Sequence, residues 1–184
     1  PGFRRFTHDR TMTMDKELLG IYLSDHLAGA TAGSRRMRRL VDAEQQAPDA
    51  DVLQRIAAEI EEDRATLLSI IESEGIEPRW YKTAMAKVGE AVGLLKTNGA
   101  IFHRSPLSSL IELEGMRIGV TGKLDLWTTL KHCGLSGHQD FDRLIERANR
   151  QLQELETAHV RRADVLRGSG TGEPVVRSEA QASS

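Results

Sequence analysis

The chain has 184 residues, with 39% hydrophobic and 4% aromatic content and a formal net charge of −2 at pH 7. That length is enough for one domain with a real core, and the near-neutral balance gives no bulk reason to expect a polyanion partner. Few aromatics beside many Leu, Ala, Glu and Arg is a helical composition. The one cysteine, Cys133, leaves no internal disulfide and fits a reducing cytoplasm. No apolar run approaches the ~20 residues of a membrane span.

Residues 1–13 read as a polar leader, with Met12 or Met14 as the expected start. Helix 1 is expected from about Asp15 to Val41. Leu19, Tyr22, Leu23, His26, Leu27, Ala30, Gly33, Met37 and Leu40 recur on one face at three- and four-residue steps. Its last turns carry Arg35, Arg36, Arg38 and Arg39, where cations complement the helix dipole. No aromatic residues interleave with these arginines, so a nucleic-acid patch is not the expected reading.

Pro48 and Asp49 punctuate the next connection, and Asp49 or Asp51 can cap helix 2. Helix 2 is expected from about Asp51 to Glu74, with Leu53, Ile56, Ile60, Asp63, Leu67 and Ile70 inward and Gly75 as its stop. Residues 76–105 read as a long crossover with a helix of its own, striped by Tyr81, Met85, Val88, Val92 and Leu95.

Helix 3 is expected from about Pro106 to Lys131, with Leu110, Ile111, Glu114, Ile118, Thr121, Leu124 and Asp125 inward. It contains Gly115, Gly119 and Gly122, each costing about 1 kcal/mol relative to alanine in a helix. Helix 4 is expected from about Asp140 to Leu166, with Phe141, Leu144, Ile145, Ala148, Leu152, Leu155, His159 and Leu166 inward. Residues 168–184 form a Gly/Ser/Ala-rich tail of disordered composition. Residues 14–167 are thus read as a single helical-bundle domain.

Two helices, a long connection and two more helices is the order of a four-helix bundle with one crossover. In that arrangement helices 1 and 3 are antiparallel neighbours. Gly33 then lies at the depth of Gly115 and Gly29 at that of Gly119, so the two small-residue steps are expected to meet in close packing. The alternative is a gap left open for a ligand.

Polar residues fall on the expected inner faces at comparable depth: His26, Asp63, Glu114 and His159, with Glu59 and Glu156 at the edges. Charged side chains are seldom buried unless paired or bound to metal. One such residue per helix therefore reads as a shared layer.

With this order of helices and the motif Glu156-Thr-Ala-His159, the chain resembles the ferritin-like superfamily over about Asp15 to Arg167. The resemblance implies an all-α, up-down-down-up bundle with an extra helix in the crossover. Metal-binding members take a carboxylate from each of two helices and Glu-x-x-His from each of the other two. The implied ligands here are Glu114, Glu156 and His159, completed by His26, Glu59 and Asp63. Helix 2 departs from the pattern, since Glu59 is followed three residues later by Glu62 rather than His. The stretch Tyr22 to Thr31 is also similar to an uncharacterised actinobacterial protein family.

Two functions follow as expectations. One is a non-catalytic cytoplasmic bundle whose buried His/carboxylate layer is structural and whose outer faces can associate with another copy. The other is a metal-binding protein of the di-iron or di-manganese carboxylate type with an incomplete ligand set, Fe or Mn suiting mixed imidazole and carboxylate donors.

Overall fold

The computed structural model describes residues 14–76, 107–135 and 139–167. These residues form four α-helices and no strand: α1 Lys16–Ala43, α2 Ala50–Ser73, α3 Ser108–His132 and α4 Phe141–Ala163, followed by a 3₁₀ turn, Asp164–Arg167. The leader, the crossover helix and the tail expected from the sequence lie outside the described residues.

Local chemistry sets the helix ends. The Asp15 carboxylate accepts from the backbone N–H groups of Glu17 and Leu18 at 3.0 and 3.2 Å, capping α1. Asp140 does the same for Arg143 at the start of α4, at 3.0 Å. Helices α2 and α3 stop alike. Gly75 and Gly134 take φ of 65° and 75°, a backbone region open to glycine. The next N–H, of Ile76 or Leu135, then bonds back to the carbonyl of Ile71 or Leu130 at 3.1 or 3.2 Å. Ile76 and Leu135 fold onto the core beside those turns.

The core divides into two clusters. The first joins Leu19, Leu23 and Leu27 of α1 to Ile70 and Ile71 of α2, Leu126 and Trp127 of α3, and Phe141 and Leu144 of α4. The second joins Met37 and Leu40 of α1 to Leu53 and Ile56 of α2, Leu113 and Met116 of α3, and Leu155 and Ala158 of α4. Helices α1–α2, α3–α4 and α1–α3 pack closely, and α2–α4 is the loosest pair in contact.

The inward face of α2 is the expected one: Leu53, Ile56, Ile60, Asp63, Leu67 and Ile70 are all buried. The face of α3 is not. Leu110, Leu113, Met116, Val120, Trp127 and Leu130 are buried, whereas Ile111 and Ile118 are 57% and 75% exposed. Glu114, Thr121 and Asp125 are also exposed. Apolar residues wrap much of the way round this glycine-rich helix, so its periodicity admits a second stripe turned by about one residue, roughly 100°. On α4, Gln151 is fully buried, and Leu166, expected inward on the same helix, is exposed in the 3₁₀ turn that follows it.

The glycines are also arranged differently from the close-packing expectation. A Cβ added at Gly29, Gly33 or Gly119 meets no described atom within 4 Å. A Cβ at Gly115 runs into the guanidinium of Arg36. Helices α1 and α3 are neighbours, but around Gly29, Gly33 and Gly119 the space between them is open.

Candidate functional site

The open space is a pocket of about 310 Å³ between α1, α2 and α3. Helix α1 contributes Asp25, His26, Gly29, Ala30 and Gly33, and α2 contributes Ile60, Asp63, Arg64 and Leu67. From α3 come Met116, Gly119, Val120, Gly122, Lys123 and Trp127. The walls are mostly apolar, and polar groups enter at a few points.

His26 is a half-buried polar residue of α1. Its ring meets that of Tyr22 edge-on, with centroids 4.6 Å apart. Burial pushes the imidazole below its ordinary value of 6.5, against the opposing pull of Asp25 and Asp125, and so favours the neutral ring.

Asp63 forms the back of the pocket and is only 2% exposed. It accepts from Lys123 Nζ at 2.5 Å and from Arg147 Nη1 at 3.0 Å. The Lys123 ammonium also donates to Gln151 Oε1 at 2.5 Å, and Gln151 Nε2 donates to Glu59 at 2.8 Å. Glu59 further accepts from Arg150 at 2.6 Å and lies 3.5 Å from Arg55. A continuous chain of charge-assisted bonds thus crosses the bundle from α2 through α3 to α4. Burial lowers the Lys123 ammonium from its ordinary value, and Asp63 works in the opposite direction.

A second buried pair closes one end of the bundle. The Arg162 guanidinium grips both oxygens of Asp49, at 2.8 and 2.9 Å, and reaches Glu44 at 3.0 Å. This explains why Asp49, though placed at the N-cap of α2, makes no side-chain cap bond there. Hydrogen bonding to Arg162 holds the Asp49 carboxyl below its ordinary value.

The six candidate ligands do not form one cluster. Asp63 and Glu59 belong to the charge network just described. Glu114 and His159 meet each other at 3.1 Å, with the Glu114 side chain 52% exposed. Glu156 is exposed and lies 3.7 Å from Arg117. His26 faces the pocket. Among the described residues, no three His, Cys, Asp or Glu side chains are grouped so as to hold a metal ion. The acids of the ferritin-like pattern are thus divided among guanidinium, ammonium and imidazole partners while His26 stands apart at the pocket, an arrangement that does not fit a di-metal centre.

Lys123, Arg147 and Gln151 carry the polar layer with Asp63, and sequence reasoning did not select them. Gln151 had a signal, because it continues the Leu144, Ala148, Leu155 stripe of α4. Lys123 and Arg147 had none, since long cationic side chains can bury their stems from almost any flank of a helix.

Of the α1 arginines, Arg38 lies 3.7 Å from Glu61, which also binds Ser34 at 2.5 Å and Arg64 at 2.5 and 2.9 Å. Among the described residues, no helix is long and apolar enough to cross a membrane. No known family, curated protein or solved structure matches the chain.

Proposed function

We propose that this chain is a non-catalytic bundle of the ferritin-like, up-down-down-up kind, and that its buried charged layer is structural. The observation that carries this reading is Asp63, 2% exposed and bonded to both Lys123 and Arg147. Each acid of the layer has a cationic or amide partner, so no metal is needed to balance the charge. The helix directions are supported by the two core clusters. The first unites the start of α1 with the end of α2, the end of α3 and the start of α4. The second unites their opposite ends.

This reading places the protein in a reducing cytoplasm, with Cys133 as a free thiol, and treats Arg35, Arg36, Arg38 and Arg39 as a solvated helix end rather than a phosphate-binding patch. Self-association would use outer faces such as that bearing Ile111 and Ile118.

Elemental analysis tests the reading. The protein is incubated with Fe²⁺ and then Mn²⁺, desalted and assayed. Substoichiometric metal, together with a clear loss of stability in Asp63→Asn, is the expected result. One retained metal ion per chain that disappears in Glu114→Ala or Glu156→Ala overturns it.

A further inference from the structure

We infer that the pocket between α1, α2 and α3 binds a small uncharged molecule with an apolar body and one or two hydrogen-bonding groups. The inference stands on the pocket and its glycines, independently of whether the charged layer is structural.

The volume, about 310 Å³, lies at the lower end of the range of roughly 300–1,000 Å³ in which small-molecule sites fall. Gly29, Gly33, Gly119 and Gly122 make that room. All four are helical, where each costs about 1 kcal/mol relative to alanine. A methyl group at any of them would touch no described atom within 4 Å. Contact between the described helices therefore does not call for glycine. What alanine would take away is space in the pocket.

The electrostatics select against a charged ligand. Asp63 is already matched by Lys123 and Arg147, and Arg64 is bonded to Glu61. Asp25 is exposed and keeps its water. An ionic group entering the pocket would lose hydration without finding an unmatched partner, which is costly. One hydrogen-bonding side chain, His26, remains open to a ligand among the described residues. Burial favours the neutral ring of His26, which offers one donor and one acceptor. Trp127 lines the pocket but is 1% exposed, and its unpartnered indole N–H is enclosed by protein rather than presented to the ligand. Ile60, Leu67, Met116 and Val120 offer the apolar body its contacts.

The test is a fluorescence titration of the full chain with N-phenyl-1-naphthylamine, an uncharged apolar probe with one N–H. Saturable binding of one probe per chain is expected. Its sulfonated anionic analogue, 8-anilino-1-naphthalenesulfonate, should bind about tenfold more weakly or worse, a difference of about 1.4 kcal/mol. Gly119→Leu should weaken the uncharged probe by at least about tenfold while the helical circular dichroism persists. Gly29→Ala and Gly119→Ala guard against misfolding of the leucine variant, because they favour the helix and should still weaken binding several-fold. Absence of saturable binding overturns the inference, including the case in which the chain fills the space itself. Equal binding of the sulfonate overturns it, as does binding that the glycine substitutions leave unchanged.

Discussion

Arg162 near the end of α4 holds Asp49 by two parallel bonds, Nη1 to Oδ2 at 2.8 Å and Nη2 to Oδ1 at 2.9 Å. Three helices are tied by this one fork, because Asp49 stands at the start of α2 and the same guanidinium reaches Glu44 at the end of α1. The side chains are only 13% and 5% exposed. Removing one partner leaves a buried charge with only a lesser contact, Glu44 for Arg162 or Arg161 at 3.8 Å for Asp49, which costs up to roughly 3–5 kcal/mol. Arg162→Ala and Asp49→Ala should each lose stability on that scale in urea unfolding. Arg162→Lys should recover only part of it, because an ammonium cannot reproduce the fork. Wild-type stability in Asp49→Ala would show that the pair is dispensable.

Asp63 has a different weakness, since two cations depend on it. Asp63→Leu leaves Lys123 with only the neutral Gln151 oxygen and Arg147 with only Glu62, and should be the most damaging single change in the layer. Lys123→Met leaves Asp63 with Arg147 and should be milder. The double variant Asp63→Leu, Lys123→Met should be more stable than the sum of the singles implies, by roughly 0.5–3 kcal/mol of coupling. Strict additivity in a double-mutant cycle would contradict the network.

Acid should destabilise the fold in two stages. Burial lowers the His26 ring below its ordinary 6.5, so the unfolded chain binds that proton first. Stability from the neutral ring is full above about 6.5 and declines as pH falls through the folded value. The carboxylates have the usual sign. Bonding to Arg162 lowers Asp49, and bonding to Arg64 and Ser34 lowers Glu61. Burial works against Glu59, but bonds from Gln151 and Arg150 outweigh it. Their contribution is present above their ordinary values of 3.8 and 4.5 and is lost as pH falls through the folded ones. Chemical denaturation between pH 8 and 3 should show a shallow first stage and a steeper second. His26→Leu should remove the first and keep the second.

Gly29→Ala and Gly115→Ala should separate helix propensity from contact. The first adds a methyl to open space and should gain up to about 1 kcal/mol, or roughly 2–4 °C in Tm for a chain of this size. The second pushes against the end of the Arg36 side chain, which can move, so its gain should be smaller. Thermal melts of the two variants side by side decide the order.

Legibility from sequence varied with how sharply each helix separates its faces. Helix α2 has a strict apolar stripe with one acid in it, and both the stripe and the buried acid were readable. Helix α3 spreads Ile111 and Ile118 outside Leu113, Met116 and Val120, so periodicity alone did not choose its buried side. Glu114 moved to the surface with that rotation. Depth along the bundle correctly brought Glu114 level with His159, because rise per residue is constant whichever way a helix is turned. What could not be read was the cationic half of the layer. Lys123 and Arg147 act through long stems that start outside the apolar stripe, and a pattern of Cα positions does not record where such a stem ends.

The seam between α2 and α4 is the loosest in the bundle, and it is sewn with charge: Arg55 to Glu154, Glu59 to Arg150, and Glu62 with Asp63 to Arg147. Leucines and isoleucines would tolerate α4 slipping along α2 by a turn, about 5.4 Å, since one apolar contact replaces another. This seam does not. A slip one way sets Glu154 against Glu59, and a slip the other way sets Arg150 against Arg55. The row of ions therefore acts as a vernier between the two halves of the chain, matching every pair at one setting and forcing a like-charge pair together at the settings on either side.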